Sequence, residues 1–324
     1  MAMTMTMASA LDAVNMLIKQ RRIRSAIDTL RELHDGTLQP ESQALTAFQC
    51  AVVYWSEAGD GESARAMFNA ACRLCNSPQL SQSTPAQRIR ANCCENMMLL
   101  SLSETEYQLW VDELTKLQPQ NPILRDHPPK FRKWLDEGKP WVDVMQSLAA
   151  TFYNRNDPAR DRGLYGCAAS LWQLVLKNRK SLRLTRDDWR TAVYEHAVLA
   201  MRMAQHAGQE MERQTRMPAR IHEFIFIAEA AEPFVEEFLA ANPSDPMILE
   251  LWRKLQSFLT TLRRAPNPPV GCFVVTVLLC TGIGWVVGLV KQRPYAWLSG
   301  IYAGLIIGGI WWVIAWIQGR QQRS

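Results

Sequence analysis

Four cysteines come closest to forming a chemical group in this sequence. Cys72-Arg73-Leu74-Cys75 is a CxxC pair, and Cys93-Cys94 follows. Zinc takes four ligands in a tetrahedron, and a CxxC pair on a turn supplies two of them. Here the first pair falls inside a helical pattern. Neighbouring residues on a helix point about 100° apart, so Cys93 and Cys94 diverge. Small core side chains are the expectation, in place of metal or redox chemistry. The histidines are His34, His127, His196, His206 and His222, and none sits in an HExxH or comparable ligand spacing. His196 is expected to be a surface or hydrogen-bonded helix residue. No GxxxxGK[ST], GxGxxG or GxSxG motif occurs, so neither a phosphate loop nor a nucleophile elbow is encoded. Asp187-Asp188 reads as a helix start, and Glu236-Glu237 as a solvated face. The sequence therefore points to no catalytic residue, no cofactor and no metal, and to a protein that is not an enzyme.

The elements that carry these residues all read as helices. Over residues 1–264 no alternating strand pattern runs longer than a few residues. Ser103-Glu104-Thr105-Glu106 and Thr185-Arg186-Asp187-Asp188 each place a hydroxyl three residues before a carboxylate, as at a helix N-terminus. His34-Asp35-Gly36, Ala58-Gly59-Asp60-Gly61 and Pro128-Pro129 read as stops. The pattern predicts helices over 8–19, 22–34, 42–57, 62–75, 86–101, 104–117, 130–137, 140–154, 159–179, 186–207, 218–241 and 246–263.

In the first 120 positions these helices come in pairs. Phe48, Ala51, Val52 and Trp55 make the apolar face of one helix. After the Gly59–Gly61 turn come Ala64, Phe68 and Ala71, a small–large–small face, and then Pro78. Small residues let paired helices approach, and the ring fills the gap between them. This hairpin resembles the tetratricopeptide repeat, with Phe48, Trp55, Ala64, Phe68 and Ala71 as the repeat core. Echoes occur at Ala26, Leu30 and Leu33, at Tyr107, Val111 and Leu114, and at Ala231, Val235 and Phe238. The resemblance implies an all-α fold, a TPR-like α-solenoid or helical bundle, whose first helices in each pair present faces to a protein partner. The family's peptide-carboxylate clamp of Lys, Asn and Arg finds no counterpart. A proline-rich stretch, Asp126–Pro140, divides these repeats (1–125) from further helical repeats or a bundle (126–264).

Beyond residue 264 the composition changes. Ala265-Pro266-Asn267-Pro268-Pro269 forms a stiff joint (265–269). Pro269–Val290 and Pro294–Gly319 carry no charged residue, and only Lys291-Gln292-Arg293 separates them. A helix rising about 1.5 Å per residue needs about 20 apolar residues to cross a bilayer. The sequence thus predicts two transmembrane helices, 270–290 and 294–318, as an antiparallel hairpin with a basic tail, 319–324. Gly284 and Gly288 on the first span, and Gly300, Gly304 and Gly308 on the second, make smooth stripes for close helix packing. Packing within the hairpin is the simpler reading, and a homo-oligomer through the second stripe is the other. Arg263, Arg264, Tyr295, Trp297, Trp316 and Arg320 are the expected interface anchors. Four arginines flank the outer ends against two basic residues in the turn. That asymmetry places the N-terminal domain and the C-terminus on the cytoplasmic side.

Charge sharpens the class. Residues 1–250 hold 28 basic and 31 acidic side chains, while no acidic residue follows Glu250. The folded body thus lacks the positive excess of a nucleic-acid module. The basic run Asn178–Arg186, with Arg190, reads as a charged interhelical turn or as a contact for anionic lipid. The N-terminus carries no secretory-signal pattern, and the cysteines suit a reducing compartment. The expected function is a membrane-anchored scaffold or adaptor that recruits protein partners, with membrane lipid as its other contact. The alternative is a membrane-acting effector whose hairpin oligomerises, with the helical domain as sensor or assembly module.

Overall fold

The computed structural model describes residues 7–37, 39–124, 133–134, 136–153, 162–215 and 220–263. Every regular element among them is helical. The first six helices are α1 (Met7–Lys19), α2 (Ile23–Gly36), α3 (Pro40–Val53), α4 (Gly61–Cys75), α5 (Thr84–Leu99) and α6 (Glu104–Leu117). Each packs on the next, and α3 also meets α5. This is how a stack of helical hairpins buries a continuous core. The chain has many helices packed against their sequence neighbours, compatible with a helical repeat. Residues Met1–Leu259 make one compact unit. The other unit, Thr260–Ser324, is described only as far as Arg263.

Close packing rests on alanine. Ala44, Ala47 and Ala51 of α3, Ala64 and Ala71 of α4, and Ala86 and Ala91 of α5 are all fully buried. Phe68 fills the space they leave, and its ring lies 5.8 Å from that of Phe48. Burying a ring of this size stabilises by about 1.5–3 kcal/mol relative to exposure. Trp55 is also buried, while Phe48 is half-exposed.

The second half returns to the first. The helices are α7 (Trp141–Tyr153), α8 (Arg162–Lys177), α9 (Arg186–Thr215), α10 (Ile225–Glu229), α11 (Glu232–Ala241) and α12 (Pro246–Arg263). Helix α8 packs on α7, on α9, on α4 and on the chain that ends α3. Positions 166–176 of α8 are buried without interruption. A helix apolar all round is a core helix. Helices α10 and α11 pack on α9, and the 3₁₀ turn Ile221–Glu223 packs on α2.

Capping follows the sequence signals in two places. The Ser103 hydroxyl accepts from the Glu106 N–H, and the Glu106 carboxylate accepts from the Leu102 N–H. Thr185 and Asp188 exchange hydrogen bonds in the same way. Three boundaries differ from the sequence pattern. Helix α3 ends in a π turn, Tyr54–Ala58, closed by Gly59 at φ 70°. The helix expected over 186–207 runs on to Thr215, and Gly208 within it leaves room for the Phe224 ring. The helix expected over 218–241 is broken into the 3₁₀ turn, α10 and α11. Pro233 stands at the start of α11, where its missing N–H leaves no ladder bond to lose. Of the helix expected over 130–137, residues 130–132 and 135 lie outside the described residues.

Candidate functional site

The π turn is where the structure concentrates unusual geometry. Its glycines form a floor for α8. Gly59 carries a left-handed backbone, and a methyl there would lie 2.9 Å from Ala169 Cβ. Methyls at Gly61 and Gly166 would overlap the carbonyls of Ser170 and Ser56. Gly166, Ser170, Gln173 and Lys177 fall on one stripe of α8 by helical spacing. Ser170 Oγ donates to the Trp55 carbonyl at 3.0 Å. Gln173 Oε1 accepts from the Glu62 N–H at 3.2 Å, satisfying an orphan donor in the first turn of α4. Lys177 pairs with Glu62 at 2.9 Å. The turn of the repeat-like hairpin is therefore sealed by another helix.

Beside the seal lies a cleft of about 30 Å³ lined by Arg21, Ile23, Glu57, Tyr165, Met203, His206, Ala207 and Ile227. Arg21 sits at φ 59°, an uncommon backbone for a side chain of its size. Its guanidinium meets the Glu57 carboxylate at 2.5 Å, and both are mostly buried. Strained backbone and π turns cluster at functional positions. Among the residues that line the cleft, Tyr165 carries the one hydroxyl and there is no thiol. Its chemistry is that of an ion pair joining the α1–α2 turn to the π turn.

A second polar knot lies at the N-terminus of α2. Glu223 is 1% exposed. It accepts from Ser25 N–H at 2.9 Å, from Ser25 Oγ at 2.6 Å and from Arg22 Nε at 3.2 Å. Burial would raise its carboxyl, but the Ser25 donors and Arg22 outweigh burial and hold it below the usual range. His222 Nε2 stands 3.6 Å from the same carboxylate oxygen. Serine, histidine and acid meet here in the wrong order for hydrolysis. The carboxylate lies between the other two, so the serine donates to an acid instead of to a base. The knot caps a helix.

Three of the cysteines gather across one helix packing. Cys72 faces Cys93 and Cys94 across the α4–α5 packing. Among the described residues no group of three or more ligating side chains could hold a metal ion. Contact with Cys93, together with burial, pushes the Cys72 thiol up, and burial pushes Cys50 and Cys75 up to about 11. Metal ligation and nucleophilic attack both need the thiolate, and these positions favour the thiol. His196 departs from expectation: it is 2% exposed, and neither ring nitrogen has a hydrogen-bond partner among the described residues. Its helix pattern held no sign of this, because only the return of α8 and α11 covers it.

Three arginines of the basic run make ion pairs, and Lys180 and Arg183 are exposed. Arg179 makes a two-pronged bridge to Glu237 at 2.7 and 2.5 Å, and its guanidinium lies 4.8 Å from the centre of the Trp189 ring. Arg186 and Arg190 reach the buried Asp245 at 3.7 and 3.8 Å, and Arg190 also pairs with Asp187. Asp245 in turn accepts from the Ile248 N–H in the first turn of α12. The stretch thus binds the α8–α9 turn to α11 and α12.

Of the residues expected in the hairpin, Arg263 ends α12. Gly284, Gly288, Gly300, Gly304, Gly308, Arg264, Tyr295, Trp297, Trp316 and Arg320 lie outside the described residues, as do the joint, both spans and the tail. No helix among the described residues is long and apolar enough to cross a membrane. No family model matches the chain, and no curated protein or solved structure matches it. The class the fold defines is an all-α protein of packed helical hairpins.

Proposed function

We propose that this protein is a non-catalytic helical-repeat scaffold, TPR-like in its first half, held at the cytoplasmic face of a membrane by a two-span C-terminal hairpin. The observation that carries the reading is the order of the sequence. A domain of stacked helices is followed by a proline joint and by two uncharged runs, 269–290 and 294–319. Stacked hairpins expose long helix faces to proteins. Confinement to a surface raises a partner's effective concentration without any new contact. The exposed positions of α3 and α5, the first helices of two pairs, are the proposed partner face. Arg88 and Asn92 are exposed there, and Phe48 and Val52 are half-exposed.

Proximity crosslinking of the full-length protein in its native membrane, read by mass spectrometry, tests this. Discrete soluble partners, kept when the hairpin is exchanged for another anchor, support the scaffold. Self-capture alone, in an oligomer lost with that exchange, supports a membrane-acting effector instead. The observation behind that second reading is the glycine stripe Gly300, Gly304 and Gly308. Gly304→Leu reduces oligomer size in mild detergent if the stripe joins chains, and an unchanged size removes that role.

A further inference from the structure

His196 stands where three elements meet, with no hydrogen-bond partner among the described residues. It projects from the middle of α9. Its ring meets Phe234 of α11 edge-on, with centroids 5.3 Å apart. The carbonyls of Ala169 in α8 and Ala230 in the turn before α11 lie near the ring, but neither completes a hydrogen bond. A neutral imidazole has one N–H and one lone pair. Beside two acceptors, its lone-pair nitrogen has no donor to receive. The neutral ring is therefore only partly compensated for leaving water.

The charged ring fares worse. Burial disfavours the cation and takes His196 down to about 4, although the two carbonyls and Asp60 pull the other way. The π-turn side contributes Asp60, whose carboxylate is committed to capping Ser63 N–H and Oγ. The buried stretch 166–176 of α8 contributes the Cys167 thiol and no charged side chain. The α11 side contributes Glu229 and Glu232, both half-exposed. On α9 itself Glu195 is adjacent, and burial raises its carboxyl against the pull of Arg202.

We propose that His196 is an acid-sensitive latch: protonating its ring opens the joint between α8, α9 and α11 while the α3–α5 stack stays closed. The sign follows from linkage. An open ring titrates near 6.5, whereas the closed ring holds off the proton until much lower pH. As pH falls below about 6.5, the open form gains a proton that the closed form refuses, so opening becomes easier. Between pH 7 and 5 the opening equilibrium shifts by about 20-fold. The inference stands on the helical domain and is independent of the membrane reading.

Amide hydrogen exchange on the full-length chain tests it, after correction for the intrinsic pH dependence of exchange. In wild type, segments 190–203 and 224–235 gain about 20-fold in opening between pH 7 and 5, relative to α3 and α5. In His196→Phe that relative gain disappears. An equal gain in both proteins, or none in wild type, overturns the latch. Should His196→Phe fail to fold, exchange of the wild-type ring's own Cε1 hydrogen gives its titration midpoint by mass spectrometry. A midpoint below about 5.5 supports the latch, and one at or above that overturns it.

Discussion

Ser170 Oγ donates to the main-chain carbonyl of Trp55 at 3.0 Å, joining positions 115 residues apart in the chain. The π turn creates the need for this bond. The N–H groups of Gly59 and Asp60 both go to the Tyr54 carbonyl. The next carbonyl, that of Trp55, takes its donor from α8. A turn that water would solvate in an isolated hairpin is thereby closed inside the core.

Ser170→Ala leaves the Trp55 carbonyl buried without that donor. The expected loss is about 1–3 kcal/mol of unfolding free energy, measured by urea unfolding of the full-length chain. Gln173→Ala removes the acceptor from Glu62 N–H and lowers stability in the same direction. Helical content at low denaturant stays unchanged in both. A neutral effect of Ser170→Ala would show that the seal contributes no stability.

Gly166→Ala tests the close crossing of α8 over Ser56. Alanine favours a helix over glycine by about 1 kcal/mol, so propensity alone predicts stabilisation. The overlap with the Ser56 carbonyl predicts the reverse, a loss of about 3 kcal/mol as the helices are forced apart. Gly36→Ala is the control, since a methyl there meets nothing within 4 Å. Equal behaviour of the two variants would contradict the crossing.

Glu223→Gln removes the charge that caps α2. The folded carboxyl lies below the ordinary value of 4.5. It therefore contributes stability that is fully present above that value and lost as pH falls through the folded one. Wild type is expected to exceed the variant by about 2 kcal/mol at neutral pH, with the gap closing below about pH 4.5. Urea midpoints from pH 7 to 3.5 read this. Curves that stay parallel throughout would remove the carboxylate's role.

The buried thiols should be silent. Cys50, Cys72, Cys75, Cys93, Cys94 and Cys167 are free and buried. In the native chain they label slowly with maleimide, and all six react once urea unfolds it, as peptide mass spectrometry would show. Dialysis against a strong chelator should leave the thermal midpoint within about 1 °C, because burial holds Cys50 and Cys75, and contact with Cys93 together with burial holds Cys72, as thiols, which ligate metal poorly. A drop of several degrees would return a metal to Cys72, Cys93 and Cys94.

Much of the architecture is local and so was readable from the sequence. Period-3.6 patterning, Ser103 and Thr185 at helix starts, and the alanines of α3 and α4 act within a few residues of themselves. The small–large–small face Ala64, Phe68 and Ala71 needs only its partner helix one turn away in the chain, and all three are buried. The uncharged runs near the C-terminus are equally plain as composition. Tertiary structure decided what distant segments do to one another. Nothing near Gly59 announces that α8 will cover it, because Gly166, Ser170 and Gln173 look like any small or polar helix residues until they meet the turn. Glu223 becomes a helix cap, and His196 a buried ring without a partner, through contacts with segments far along the chain. A side chain's surroundings are set by whichever segment packs last against it, and that segment carries no signature at the position it covers.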